Sequence, residues 1–229
     1  MVMAAGLGKR MRPLTATTPK PLVRVKGKPL IDYSLDRLAD AGVARAVVNV
    51  HYLADAVEAH LAKRKSPAVT ISDERARLLE TGGGMVKAQP LLPDPFFCVN
   101  SDNIWLDGPR NAFRELSDAW QPDVMDALLL VVRHPHARGH QGRGDFSLDP
   151  LGRISRRKPG RVAPYIYTGI QLVSHRLLRD PPAGPFSTNV LWSRAMEEGR
   201  LFGLVHTGVW FEVGDPGAIA PAEAFLSGG

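Results

Sequence analysis

At 229 residues the chain is long enough to bury a sizeable core and fits one α/β domain, with a small lobe at most. Hydrophobic residues at 44% and charged residues at 23% are ordinary for a globular protein, and no apolar run approaches the ~20 residues of a membrane span. The 29 basic and 23 acidic residues leave +6, scattered without the aromatic-interleaved stripe that single-stranded nucleic acid needs, and the single cysteine, Cys98, supplies neither a disulfide nor a zinc cluster.

The start shows no basic stretch followed by an apolar region, which predicts no secretory leader and a cytoplasmic setting. Strands and helices then alternate. Val2 to Ala5 is a short apolar run ahead of a glycine-rich turn. It falls below the ~5–6 residues usual for a strand, leaving residues upstream of Met1 or an internal start there as the two readings. Ile31, Leu35 and Leu38 recur at helical spacing with Gly42 as a stop. Ala46 to Val50 reads as a buried strand, Leu53, Val57 and Leu61 as one face of a second helix, and Val69 to Ser72 as a short strand. Glu80 to Gly84 is a small-residue turn opening a helix, and the strand Phe96 to Val99 ends at Asn100-Ser101-Asp102. Phe113 and Leu116 mark another helix, and Ala127 to Val132 is an all-apolar run of the central-strand type. This alternation predicts an α/β fold with a Rossmann-like, mostly parallel mixed sheet flanked by helices.

From about residue 133 the character changes. His134 to Gly144, rich in Gly, His and Arg, reads as a loop. The turn Asp149-Pro150-Leu151-Gly152 joins Phe146 to Leu148 and Arg153 to Ser155 as a hairpin. Tyr165 to Val173 is strand-like, Val190 to Glu198 helical, Leu201 to His206 and Val209 to Val213 extended, and Ala218 to Leu226 a closing helix. His134, His136 and His140 have no standard ligand spacing and no acidic or Cys neighbour, so they read as loop histidines.

The most informative stretch is Ala4-Ala5-Gly6-Leu7-Gly8-Lys9-Arg10-Met11-Arg12-Pro13-Leu14-Thr15, followed by Pro19-Lys20-Pro21-Leu22. Small residues leaving a strand let backbone N–H groups approach a polyphosphate. Lys9, Arg10, Arg12 and Lys20 add four cations around the same turn. The departure of a multiply charged leaving group is catalysed largely by such electrostatic stabilisation. The stretch is neither a Walker loop nor Gly-x-Gly-x-x-Gly.

These residues resemble the signature of the sugar-1-phosphate nucleotidylyltransferases, Ala-Gly-x-Gly-x-Arg-x-x-Pro-x-Thr followed by Pro-Lys-Pro-Leu, and the resemblance spans essentially the whole chain. It implies a GT-A-like fold, with a nucleotide half at about 1–132 and a sugar-binding half at about 133–229 of a single domain 1–229. It implies a nucleotide site at Ala4, Ala5, Gly6, Gly8, Lys9, Arg10 and Lys20, in which Arg10 and Lys20 hold the triphosphate. Thr81 and Gly82 would border the base and ribose. Asp102, which taken alone reads as a cap or turn residue, falls on the family's metal aspartate, implying Mg²⁺ as cofactor. The second ligand of the family is an aspartate in Trp-x-Asp-x-Gly; here Trp210-Phe211-Glu212-Val213-Gly214 puts Glu212 in its place. Asp215, three residues on, reads as a helix cap.

On the sugar side the resemblance implies Asn100, Gly144, Asp145, Arg157 and Thr168. Arg157-Lys158-Pro159 matches the family's Glu-Lys-Pro, so Lys158 would orient the sugar phosphate, while Arg157 replaces the glutamate that binds sugar hydroxyls. That departure implies an acidic sugar, with Arg157 pairing its carboxylate. Glu80 to Gly84, Gly142 to Phe146 and the short length point within the family to members using UTP and N-acetylmuramate 1-phosphate. Guanylyl or thymidylyl transfer to mannose or glucose 1-phosphate is the alternative, a choline-type cytidylyl transfer remains open, and a non-catalytic nucleotide-sensing subunit is the reading from another class. The partners expected are small molecules, without nucleic acid or membrane, for a monomer or small homo-oligomer.

Overall fold

The computed structural model describes residues 1–228. Its elements begin with β1 (Val2–Met3), β2 (Arg24–Val25), β3 (Lys28–Pro29), α1 (Leu30–Asp40), β4 (Arg45–Val50), α2 (Ala54–Leu61) and β5 (Ala68–Asp73). Next come α3 (Glu80–Ala88), β6 (Phe96–Asn100), β7 (Asn103–Leu106), α4 (Ala112–Ala119) and β8 (Ala127–Arg133). The chain continues through β9 (Ala137–Arg138), β10 (Phe146–Leu148), β11 (Ile154–Arg156), β12 (Tyr165–Val173), α5 (Thr188–Glu197), β13 (Leu201–Val205), β14 (Val209–Glu212) and α6 (Ile219–Ser227). No helix among the described residues is long and apolar enough to cross a membrane.

The main sheet is mixed. β6, β1, β4 and β5 lie side by side and parallel, connected in the chain order β1, β4, β5, β6 through α1, α2 and α3. β12 runs antiparallel to both β6 and β8, and β13 lies parallel to β8 beyond it. The hairpin β10–β11 joins the other end of β12. A strand reached through a hairpin rather than a helical crossover is free to run antiparallel, which alternation along the sequence does not reveal. β1 is two residues long, yet Met1 continues its ladder by accepting a hydrogen bond from the Val99 N–H.

Ile31, Leu35 and Leu38 of α1 are buried as their spacing predicts, against one face of the sheet together with α2 and α4. Met85, Leu191 and Trp192, on α3 and α5, help cover the opposite face. Side-chain caps fix two helix starts: Asn111 accepts from the Phe113 and Arg114 N–H groups, and Ser187 from that of Asn189. Leu53 corrects the sequence reading. It stands before α2 at φ 48° and is 38% exposed, so the buried face is Ala54, Val57 and Leu61. Apolar spacing is blind to that left-handed backbone.

A second, three-stranded sheet has the order β7-β14-β9. Its β9 comes from the segment read as a loop: His134–His136 form one turn, and Ala137–Arg138 pairs with β14. Two paired residues are too few for periodicity to detect. Because Asn103 faces Glu212 in the β7–β14 register, this sheet brings the end of β14 beside Asp102.

Candidate active site

After β1 the chain turns through Ala4, Ala5 and Gly6 over the C-terminal ends of β1, β4 and β6, the crevice where open α/β sheets take ligands. The turn closes on itself. The Thr15 hydroxyl donates to the Gly8 carbonyl at 2.8 Å, and the Tyr52 hydroxyl bridges the carbonyls of Thr15 (3.0 Å) and Ala16 (3.2 Å). A pocket of about 230 Å³ lies between this turn, with Lys20, and the start of α3 at Glu80 and Thr81; Asn100, Ser101 and Asp102 complete its wall.

Two ion pairs bring the predicted charges together. Lys20 Nζ lies 2.5 Å from Asp102 Oδ2, with side chains only 13% and 29% exposed. Arg10 Nη1 lies 3.6 Å from Glu212 Oε1, and the arginine is 70% exposed and free to swing. Each expected carboxylate ligand is thus paired with an expected phosphate cation. Gly214, two residues after Glu212, lies close to this guanidinium: a β-carbon there would sit 2.9 Å from Arg10 Nη1. His140 has an acidic partner after all: its Nδ1 is 3.0 Å from Glu212 Oε2, across 72 positions of sequence. Its Nε2 is buried and unpartnered. Lys9 and Lys158 are exposed and stand outside these ion pairs. Asp215 does stand at the N-cap position of the single turn Pro216–Ala218, without a side-chain cap hydrogen bond.

Asp102 and Glu212 are hard oxygen donors, and Mg²⁺ is commonly held by one or two carboxylates with phosphate oxygens and water, so the donor set fits the ion. No group of three or more His, Cys, Asp or Glu side chains suited to a metal converges among the described residues. The rest of a Mg²⁺ shell would therefore come from substrate and water.

Several expected contacts are already engaged within the protein. The Ala4 N–H donates to Asn49 Oδ1 at 2.7 Å, which leaves Ala5 and Gly6 as the free part of the turn. The Gly82 N–H donates to the Phe186 carbonyl at 2.9 Å, and a β-carbon there would lie 2.4 Å from the Phe186 ring. Gly82 thus packs α3 against the segment before α5, and its N–H is already engaged there. Thr81 does line the pocket, while its Oγ1 accepts from the Thr188 N–H at 2.9 Å. Thr168 is fully buried and its hydroxyl donates to the Leu130 carbonyl at 2.8 Å, so its side chain is not offered to a sugar.

Gly144, Asp145 and Arg157 line a separate pocket beside α5, whereas Asn100 lines the first. Gly144 is at φ +74°, and a β-carbon would come 2.1 Å from the Ala163 carbonyl oxygen, so backbone packing already demands glycine there. Asp145 Oδ2 accepts from the Tyr167 N–H at 2.9 Å. Arg157 donates from Nε to the Gly144 carbonyl and from Nη1 to that of Arg161, at 3.0 and 3.2 Å.

The nucleotidyl transferase family profile matches residues 1–140. The N-acetylmuramate alpha-1-phosphate uridylyltransferase of Caulobacter vibrioides is 46% identical, over 99% of this chain and 96% of that protein. The protein of the same name from Neisseria meningitidis serogroup B is 36% identical, over 98% and 96%. The chain belongs to the nucleotidyl transferase family. In fold, this nucleotidyltransferase matches the inositol-1-phosphate CTP transferase from T. maritima with a TM-score of 0.78, at 20% identity over 99% of this chain and 93% of that one.

Sequence reasoning missed the group that joins the walls of the nucleotidyltransferase's first pocket. Glu74 is 1% exposed; its Oε1 accepts from Asn49 Nδ2 at 2.8 Å and its Oε2 from the Leu79 N–H at 3.1 Å. Asn49 in turn holds Ala4, so one buried carboxylate ties the glycine turn to the leader of α3. Gly84 makes room for it, since a β-carbon there would lie 2.8 Å from Glu74 Oε1. The signal in the sequence was Asn49 itself, a polar residue in the apolar strand AVVNV, because a buried amide requires partners.

Proposed function

We propose that this nucleotidyltransferase moves the UMP part of UTP onto N-acetylmuramate 1-phosphate, giving UDP-N-acetylmuramate and pyrophosphate. The observation that carries the reaction type is the ion pair Lys20–Asp102 in the wall of the pocket beside the glycine turn, with Arg10–Glu212 as a second pair of expected phosphate cation and expected ligand. The substrates follow the names of the two relatives that cover nearly the whole chain.

The turn at Ala5 and Gly6 receives the triphosphate. Arg10 and Lys20 shift from their carboxylates to phosphate oxygens and neutralise charge on the departing pyrophosphate. The sugar phosphate oxygen forms a bond to the α-phosphorus as the bond to the bridging oxygen breaks. Lys158, from the sugar-binding half at about 133–229, orients the attacking phosphate. No general base is required, since a phosphate monoester with a second pKa of about 6 is largely ionised at neutral pH. Asp102 and Glu212 would hold Mg²⁺, which supplies charge neutralisation between the two anions. The setting of this reading is the cytoplasm and the recycling of cell-wall sugar, with a monomer or small homo-oligomer.

A pyrophosphate-release assay crossing the common nucleoside triphosphates with N-acetylmuramate, N-acetylglucosamine, mannose and glucose 1-phosphates tests it. The highest kcat/KM is expected for UTP with N-acetylmuramate 1-phosphate. Preference for GTP with mannose 1-phosphate or dTTP with glucose 1-phosphate transfers the assignment to those activities, and no turnover of any pair leaves a nucleotide-sensing subunit.

A further inference from the structure

The pocket beside α5, about 410 Å³ in volume, lies between that helix and the β10–β11 hairpin. Its base is aromatic. Trp192 stands edge-on to Tyr167, with ring centroids 4.9 Å apart at 81°, and to Phe146, at 6.0 Å and 75°. Arg156, at the end of β11, holds its guanidinium carbon 6.0 Å from the Phe146 centroid. That guanidinium is fastened to α5: it donates to Asn189 Oδ1 (3.1 Å), the Asn189 carbonyl (3.0 Å) and Ser193 Oγ (3.3 Å). Positions 189, 192 and 193 share one helical face, so cation and aromatic base form one continuous surface.

All of these acceptors are neutral. Among the described residues no carboxylate pairs with Arg156 or Arg157, whereas Arg64, Arg75, Arg176 and Arg200 each have an acidic partner. Asp145 spends one oxygen on the Tyr167 N–H. Arg157 is tied to two backbone carbonyls and shapes the hairpin and the loop after it. Arg156 is therefore, among the described residues, a fixed cation without a counter-ion, at the rim of a pocket floored by the largely buried rings of Phe146 and Trp192 and the partly exposed Tyr167. The pocket shares no lining residue with the first one, but two short links join them. Thr188, next to Asn189, donates to Thr81, and β12 leads from Tyr167 to Gly169, which packs against Asn100.

We propose that Arg156 is the residue that reads an acidic substituent on the acceptor sugar. Resting on the function proposed above, the geometry sets the sugar phosphate toward Asp102 and the lactyl carboxylate of N-acetylmuramate on Arg156. The role expected of Arg157 from its place in the sequence passes to its neighbour.

The test compares N-acetylmuramate 1-phosphate with N-acetylglucosamine 1-phosphate, which lacks the lactyl group, at saturating UTP. Arg156→Gln is expected to cut kcat/KM for the first by roughly 10- to 100-fold, mainly through KM, as loss of a charge-assisted hydrogen bond does. The second should lose less than about threefold on the same scale. Arg156→Lys should recover part of the selectivity, and Asn189→Ala, which frees the guanidinium, should produce a smaller loss in the same direction. Equal losses on both sugars would overturn the proposal by giving Arg156 to the phosphate or the fold, and so would no loss on either. Wild-type protein that turns over neither sugar phosphate fails the functional reading first, and the role of Arg156 with it.

Discussion

Ala4, Ala5, Gly6 and Lys20 reach the first pocket from neighbouring turns at the start of the chain, whereas the pocket beside α5 draws Asp145 and Arg156 from a hairpin, Tyr167 from β12 and Trp192 from a helix. On the proposed function, the difference follows from what each pocket would hold. A triphosphate is recognised by charge density and backbone N–H groups, which a short glycine-rich segment can supply alone. A sugar is recognised by shape, an apolar face and a few placed polar groups, which only segments distant in the chain can surround.

The comparison breaks most visibly at Asp102. Asp102→Asn keeps an oxygen acceptor for Lys20 but removes the carboxylate, and kcat should fall roughly 10²-fold or more, as for a major electrostatic element. The loss should be the same for both amino-sugar phosphates, unlike that of Arg156→Gln, with melting temperature little changed; near-normal turnover would reject the metal assignment. Glu74 sharpens the account next. Glu74→Gln presents an amide to donors that the carboxylate accepted, and the KM for UTP should rise roughly 3- to 10-fold, the equivalent of about one hydrogen bond, while sugar selectivity is kept. Glu74→Ala orphans both donors and should cost about 1–3 kcal/mol of stability or more by denaturant titration.

The smallest effect is one of pH. Burial lowers the pKa of His206 below its ordinary 6.5, against the hydrogen bond to the Leu106 carbonyl and the nearby Asp107, which raise it. The unfolded chain then binds the extra proton more readily, so His206 contributes stability above about 6.5 that is lost as pH falls through the depressed folded value. Thermal melts of a His206→Asn variant should lack that part of the acid-side decline; an unchanged decline would remove His206 as a cause.

The convergence of the glycine turn with its charged partners was legible because its pattern is local: Ala5, Gly6, Lys20 and Asp102, all singled out in the sequence, line one pocket. Helix faces such as Ile31, Leu35 and Leu38 were equally plain, since period and burial are one statement. What escaped were relations between distant residues. His140 on Glu212, Thr81 on Thr188 and Arg156 on Asn189 are hydrogen bonds that only the folded chain creates. Gly82 and Thr168 show the complementary limit: a small or hydroxyl residue near a site looks the same in sequence whether it is open to a ligand or engaged with Phe186 or Leu130.

The most direct measurement is a crystal structure of the enzyme with UTP and Mg²⁺. The triphosphate should lie on Ala5 and Gly6, with Lys20 and Arg10 moved from Asp102 and Glu212 onto phosphate oxygens and the two carboxylates facing the ion. A nucleotide bound elsewhere, with both ion pairs undisturbed, would contradict the account.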